Sequence, residues 1–386
     1  MLRHDTLWWT MPGPEEFPKF IEDDLRAGRN VVVPLPQFAP SGLRAVVSER
    51  IQRTELYSFR TLDLAEVEPS VTDCPSRLLH DQFAHLPPGV EPTPQSLAKC
   101  SKLSETVVWI SGVGEQNWEV WRRFLELYKD ACRDVAVHER LLFVVPVVGI
   151  RPNDSPQADI ALSVRPYRNT VGRLDMWLFT WHLLRTSSTS ALYRDLAVAI
   201  VSEIAGIDPC LAETLAAARL EDQLNPGPLL RDFAKERNWD PDLKQRQTDL
   251  TEEDEWRLGL SDLRDGTRLL HSAAAVDQQV MLRKRVWRGQ MTVLFPFLED
   301  IRTRFIHQYR SLLSVPVNTE WETISDIDSL EIAHLVYQLG RKIGRDSRAD
   351  LDACRRIRNE LAHLRPLSAE ELLSPAVKRL TKRVSG

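Results

Sequence analysis

Cysteine is scarce in this 386-residue chain and poorly placed for building structure. There are five, Cys74, Cys100, Cys132, Cys210 and Cys354, odd in number and scattered, with no Cys-x-x-Cys pair and no adjacent histidine pattern. That argues against a disulfide framework and against a zinc module, and leaves buried thiols in a reducing compartment as the expectation. Also missing is any run of about 18 uncharged apolar residues, the usual mark of a membrane-spanning helix. The opening residues, Met1 to Phe17, lack the apolar core and small-residue cleavage site of a secretory signal and soon turn acidic. A cytoplasmic protein with no membrane partner is expected. No internal repeat and no low-complexity tract is found.

What is present fits a folded chain of two or three domains, with 43% hydrophobic and 27% charged residues. The net charge of −5 is unevenly spread. From His271 to Gly386 there are 19 Lys and Arg against 14 Asp and Glu, a local +5, which leaves −10 on residues 1–270. A basic C-terminal region suits nucleic acid, and equally suits pairing with the protein's own acidic part.

Three apolar runs rich in β-branched residues stand out: Val31–Val33, Val107–Ile110, and Leu141–Val145 continuing to Val148. Unalternated runs of this length are what strands buried on both faces of a parallel sheet look like. Ile160–Val164 is expected to join them. Between the second and third, Trp118, Trp121, Leu125 and Tyr128 recur at helical spacing, which makes a βαβ unit. Phe59–Pro94, with six prolines, reads as loop-prone, with room for a short helix but hardly a long one. From Ser190 the period changes: Leu192, Leu196, Ile200 and Ile204 predict a helix stopped near Gly206, followed by helices over Cys210–Leu224 and Leu229–Arg237. Asn238–Glu255 reads as a linker. Further helices are expected around Leu258–Leu270, Val276–Leu313, Ser329–Ile343 and Asp350–Leu364, with a turn at Pro316. The expected organisation is an α/β domain over 1–189, an all-α middle region and linker over 190–256, and an all-α domain over 257–386.

The strand, loop and helix of Gly28-Arg-Asn-Val-Val-Val-Pro-Leu-Pro-Gln-Phe-Ala-Pro-Ser-Gly42, with a helix starting near Leu43, stand where a phosphate-binding loop would. Such a loop needs glycines to wrap backbone N–H groups around phosphates, a lysine for the terminal phosphates and a hydroxyl for Mg²⁺. Here Pro34, Pro36, Phe38 and Pro40 remove donors and add bulk, no lysine follows Gly42, and Glu115 lies beyond a glycine-containing turn after the second strand. The segment order resembles inactive P-loop modules of the STAND and AAA+ kind, used in bacterial conflict systems as sensing or adaptor parts. An unrelated α/β domain is the alternative. On either reading no ATP turnover and no cofactor are expected, and the lone Gly112-Val-Gly114 is too short to indicate a dinucleotide site.

The last predicted long helix holds Arg-Asn-Glu-Leu-Ala-His, residues 358–363. At about 100° per residue, Leu351, Cys354, Ile357, Leu361 and Leu364 form an apolar stripe. Arg355, Arg356, Asn359 and His363 gather on the other side, and Arg358 flanks the stripe and must reach round. A histidine titrating near neutral pH suits proton transfer, and an arginine fork suits a phosphate on which negative charge builds. These residues resemble the ribonuclease motif of the HEPN superfamily: an arginine, a polar residue directly after it, and a histidine four to six residues further on. The resemblance covers roughly Leu258–Arg365. It implies a metal-independent endoribonuclease with Arg358, Asn359 and His363 catalytic and RNA as substrate. It also implies a homodimer formed through the HEPN domain, while a regulatory protein partner through the N-terminal half is what the STAND-like resemblance allows. Arg355, Arg356 and Arg365 are the further candidates for RNA binding, and Glu331 and His334 on the preceding helix are candidates to line the same cleft. A non-catalytic HEPN adaptor, or an active NTPase whose site is not recognised, would fit the same residues.

Overall fold

The computed structural model describes residues 4–67, 74–84, 90–239, 250–318 and 323–385. The chain divides into two compact units, Met1–Asp175 with Pro241–His271, and Met176–Asp240 with Ser272–Gly386. This partition differs from the three sequence segments: the helix after Ser190 goes with the C-terminal helices, and the residues up to His271 go with the α/β region. Among the described residues no helix is long and apolar enough to cross a membrane.

The first unit is built on a parallel sheet. Its strands are β1 (Asn30–Leu35), β2 (Ser58–Asp63), β3 (Thr106–Ser111), the two-residue β4 (Val113–Gly114), β5 (Leu141–Val148) and β6 (Leu162–Val164). The order across the sheet is β2-β3-β5-β1-β6, with β4 alongside β5. Val31, Val32, Val33, Val107, Val108, Val144 and Val145 are fully buried, so both faces of the central strands are covered. That is why these strands read as apolar runs rather than alternations. The helix Trp118–Ala131 links β3 to its parallel neighbour β5, as the βαβ reading expected. It seats Trp121, Phe124 and Tyr128 against the sheet, with Tyr128 and Phe143 edge to face at 4.8 Å and the Tyr128 hydroxyl donating to Leu141 O at 2.7 Å. Each such aromatic contributes on the order of 2–3 kcal/mol by burial alone.

Three expectations for this unit fail, the first being the linker, since Glu252–Glu255 belong to a helix, Glu252–Arg257, in which Asp254 and Glu255 are buried. The region read as loop-prone from Phe59 contains β2, an edge strand pairing with β3 along its whole length. Its side chains are mostly exposed or half-buried, so it shows no apolar run. Pro69, Pro87 and Pro88 lie outside the described residues, as does 240–249 of the expected linker. The expected helix around Leu258–Leu270 is instead a hairpin, β7 (Ser261–Arg264) and β8 (Thr267–Leu270). Asp265 and Gly266 both adopt positive φ, 51° and 74°, which suits the tight hairpin turns that an Asp-Gly pair favours.

The hairpin is clamped to the loop after β6. Asn169 N donates to Asp262 Oδ1 at 3.3 Å, Gly266 N to Asn169 Oδ1 at 3.0 Å, and Arg173 N to Asp265 Oδ2 at 3.2 Å. Burial pushes the Asp262 carboxyl up to about 7, against the opposing pull of the Leu263 and Asn169 N–H groups and of Arg168, while Glu252 pushes the same way as burial. The folded state therefore favours protonated Asp262. Stability from this group is full below the unfolded carboxyl value near 4 and is lost as pH rises through about 7. Asp262→Asn is expected to be more stable than wild type at pH 8 by up to about 4 kcal/mol, and to flatten the decline between pH 5 and 8. Urea melts at the two pH values check this; a variant as pH-dependent as wild type would refute it.

The second unit is largely helical. Its main helices are Ala191–Ala205, Pro209–Ala217, Leu220–Leu224, Gly227–Glu236, Gln279–Gln308, Ile332–Leu339, Arg345–Ala362 and Pro375–Ser385. It is not purely so, since β9 (Val317–Asn318) and β10 (Thr323–Ile324) pair in a short antiparallel ribbon. The helix expected over Cys210–Leu224 is two, broken at Ala218 and Arg219, whose ψ values of 161° and 158° are extended. Ala191–Ala205 packs along Gln279–Gln308, and every residue from Leu196 to Ala205 is buried. Of the thiols across the chain, Cys132 and Cys354 are buried as expected, whereas Cys74 and Cys210 are exposed beside helix starts.

Candidate active site

The helix Arg345–Ala362 holds the Arg-Asn…His motif, and its apolar stripe is what fixes it. Leu351, Cys354, Ile357 and Leu361 are buried. Asp350, whose side chain is fully buried, pairs with Arg379 of Pro375–Ser385 at 2.8 Å. Against Gln279–Gln308 the helix is held at both ends and runs in the opposite direction. The Tyr309 hydroxyl donates to Ser347 Oγ at 3.1 Å, and Trp287 Nε1 donates to Leu361 O at 2.8 Å.

The helix stops earlier than its apolar spacing suggests. His363 is the residue that closes it, with φ −92° and ψ 18°, and Leu364 turns left-handed at φ 58°. Arg365 N donates back to Glu360 O at 2.9 Å and Leu364 N to Leu361 O at 3.2 Å, the pairing of a Schellman end. Leu364, expected on the buried stripe, is therefore 61% exposed. A left-handed leucine costs roughly 1–2 kcal/mol, so Leu364→Gly is expected to raise stability by up to about 1 kcal/mol after the extra chain entropy of glycine. Thermal melts check this, and a loss of stability would count against it.

His363 N still donates to Asn359 O at 3.0 Å, so the two residues stay neighbours at the helix end. Both side chains are exposed, and neither forms a hydrogen bond among the described residues. Arg355 and Arg356 share this outer side. Arg355 reaches Asp352 at 3.5 Å and Arg365 reaches Glu360 at 3.7 Å. Exposed pairs of this kind are worth about 0–1 kcal/mol and release their cation easily.

Arg358 does not reach round to His363. It turns to the start of Ile332–Leu339 and donates from Nη2 to Glu331 Oε2 at 2.8 Å. Glu331 is itself fixed as a helix cap: its side chain accepts from the His334 N–H, and its own N–H donates to His334 Nδ1 at 3.1 Å. Glu331 thus adjoins the motif through Arg358, and His334 is bonded to Glu331. One chain brings together Arg358, Glu331 and His334 on one flank and Asn359 with His363 on the other. Among the described residues no group of three His, Cys, Asp or Glu side chains is placed to hold a metal ion.

A second set of cations lies outside the motif. Arg283, Lys284 and Arg288 are exposed on Gln279–Gln308, around Trp287, which holds Leu361. The signal was in the sequence as Leu282-Arg-Lys-Arg-Val-Trp-Arg288.

In the first unit, an open cleft of about 470 Å³ lies at the carboxyl ends of β3, β4 and β5, lined among others by Ser41, Gly42, Arg44, Ser111 and Gly112. Parallel sheets commonly bind ligands at such ends. The details are poor for phosphate. Pro34 lies within β1 rather than in the loop, but Pro36, Phe38 and Pro40 follow. The start of the helix Leu43–Arg53 is engaged by the chain's own N-terminal segment, with Ser41 Oγ donating to Asp5 Oδ1 at 2.5 Å and Trp9 Nε1 to Ser41 O at 2.7 Å. A Cβ on Gly42 would lie 2.8 Å from Asp5 O. An acidic side chain thus sits where an anionic ligand would be drawn. Compared with known proteins, the chain matches no family model and no curated sequence.

Proposed function

We propose that this chain is a metal-independent endoribonuclease effector of the HEPN type, acting in conflict defence. In this reading Arg358, Asn359 and His363 form the centre, and the α/β unit serves as an inactive, P-loop-like regulatory module. The observation that carries the proposal is the helix end itself: a histidine and an asparagine, neighbours and exposed, with an arginine on the same helix, all held by a buried stripe and the Trp287–Leu361 hydrogen bond.

Such a set can cleave RNA by internal attack. The substrate's 2′-hydroxyl attacks the adjacent phosphorus as its proton passes to a base, for which His363 is the candidate. The bond to the 5′-oxygen breaks, that oxygen takes up a proton, and a 2′,3′-cyclic phosphate and a 5′-hydroxyl result. Arg358 would neutralise the charge that gathers on the phosphoryl oxygens. One exposed histidine cannot both remove and supply the protons in one step, which supports a homodimer with two such helices across a twofold axis.

A second reading has one observation in its favour. Arg358 is already answered by Glu331, as it would be in a non-catalytic adaptor that binds a partner protein. Incubating the full chain with total RNA in EDTA separates the two. Cleavage leaving cyclic phosphate ends supports the ribonuclease, and intact RNA supports the adaptor.

A further inference from the structure

From Gln278 to Leu298 the chain has no Asp or Glu, yet it contains Arg283, Lys284, Arg285 and Arg288. Arg285 is buried and donates to Ser272 Oγ, so it serves the packing of the helix. The other three are exposed and make no ion pair among the described residues. This sets them apart from arginines such as Arg122, Arg133 and Arg310, each held by a carboxylate on its own or a neighbouring element.

Helix geometry spreads the three over about 140° of the surface and about 7.5 Å of its length, with Trp287 between Arg283 and Lys284 in angle. Their place in the unit is fixed by two tethers. Trp287 Nε1 donates to Leu361 O at 2.8 Å. One turn on, Gln290 is bonded to Leu367 in both directions, at 2.8 and 2.7 Å. The segment Leu361–Leu367, which contains His363 and Arg365, is thereby stitched onto the long helix beside Arg288.

We propose that Arg283, Lys284 and Arg288 form the track that binds the phosphate backbone of single-stranded RNA and leads it to His363, with half-buried Trp287 as its floor. The occupant is a polyanion because three unpaired cations in an acid-free stretch offer charge and no other recognition chemistry. This inference rests on the ribonuclease reading for the direction of the strand, and on the cation arrangement alone for binding.

The test uses the full chain and a fluorescent 20-nucleotide 2′-O-methyl oligouridine, which cannot undergo attack by its own 2′-oxygen. In the triple variant Arg283→Gln, Lys284→Gln, Arg288→Gln, affinity near 0.1 M salt is expected to fall by about tenfold or more, and the slope of log Kd against log salt to drop by about 2, near 0.7 per cation lost. Unchanged affinity and slope in a folded triple variant, or no binding by wild type, would overturn the track. Lost binding in the triple variant together with wild-type cleavage by His363→Ala would leave the track standing and remove the catalytic reading.

Discussion

His363→Ala and Arg358→Ala are each expected to slow RNA cleavage by about 100-fold or more, the usual cost of losing an acid–base group or a donor to a developing anion. Asn359→Ala should cost less, because a neutral amide can orient a group but cannot carry its charge. None of the three should unfold the protein, since Asn359 and His363 are exposed and Arg358 is half-exposed and bonded to an exposed Glu331. Cleavage should survive EDTA, spare DNA of the same sequence and leave 2′,3′-cyclic phosphate ends. Rate measurements on a labelled oligoribonucleotide decide the matter. Wild-type cleavage by His363→Ala, or activity abolished by EDTA, would remove the proposed centre.

Gly289→Val is expected to abolish the cooperative fold of the second unit. Gly289 lies where Gln279–Gln308 packs against Ala191–Ala205, and a Cβ there would meet Ile200 Cα at 2.7 Å, Ile200 N at 2.8 Å and Ala199 C at 2.9 Å. All three are backbone atoms, so no rotamer change relieves the clash and the helices must separate. Even Gly289→Ala sets two effects against each other. Alanine favours a helix over glycine by about 1 kcal/mol, while overpacking typically costs 1–3 kcal/mol and here falls on rigid backbone. Packing should win, with a net loss of about 1–2 kcal/mol for alanine. Thermal unfolding followed by circular dichroism reads both. An alanine variant more stable than wild type would mean the helices are not so close.

The strands of the sheet centre were legible in the sequence because burial on both faces leaves no reason for polar residues in Val31–Val33 or Leu141–Val145. Edge strand β2 escaped for the opposite reason: Ser58, Arg60 and Thr61 face solvent and dilute the pattern. The hairpin at 261–270 carried a local signal, Asp265-Gly266, but flanking leucines at helix-like spacing concealed it. At the site, the exposed side of the motif helix followed from periodicity alone. Its end did not, because Leu364 falls where the apolar stripe would continue, and only the tertiary hold of Trp287 on Leu361 and the Schellman bonds stop the helix at Ala362. The destination of Arg358 was equally out of reach, since it depends on Glu331, 27 residues earlier, being brought alongside by the packing of Ile332–Leu339 on Arg345–Ala362.

The chain passes between its two units three times, at 175/176, 240/241 and 271/272. A single proteolytic cut therefore cannot release either one whole. Cleavage near 240 would strip the first unit of Trp256 and its hairpin, and would take from Ala191–Ala205 the long helix against which its ten buried residues from Leu196 to Ala205 pack. A deletion that isolates either unit therefore has to rejoin two separate segments of chain.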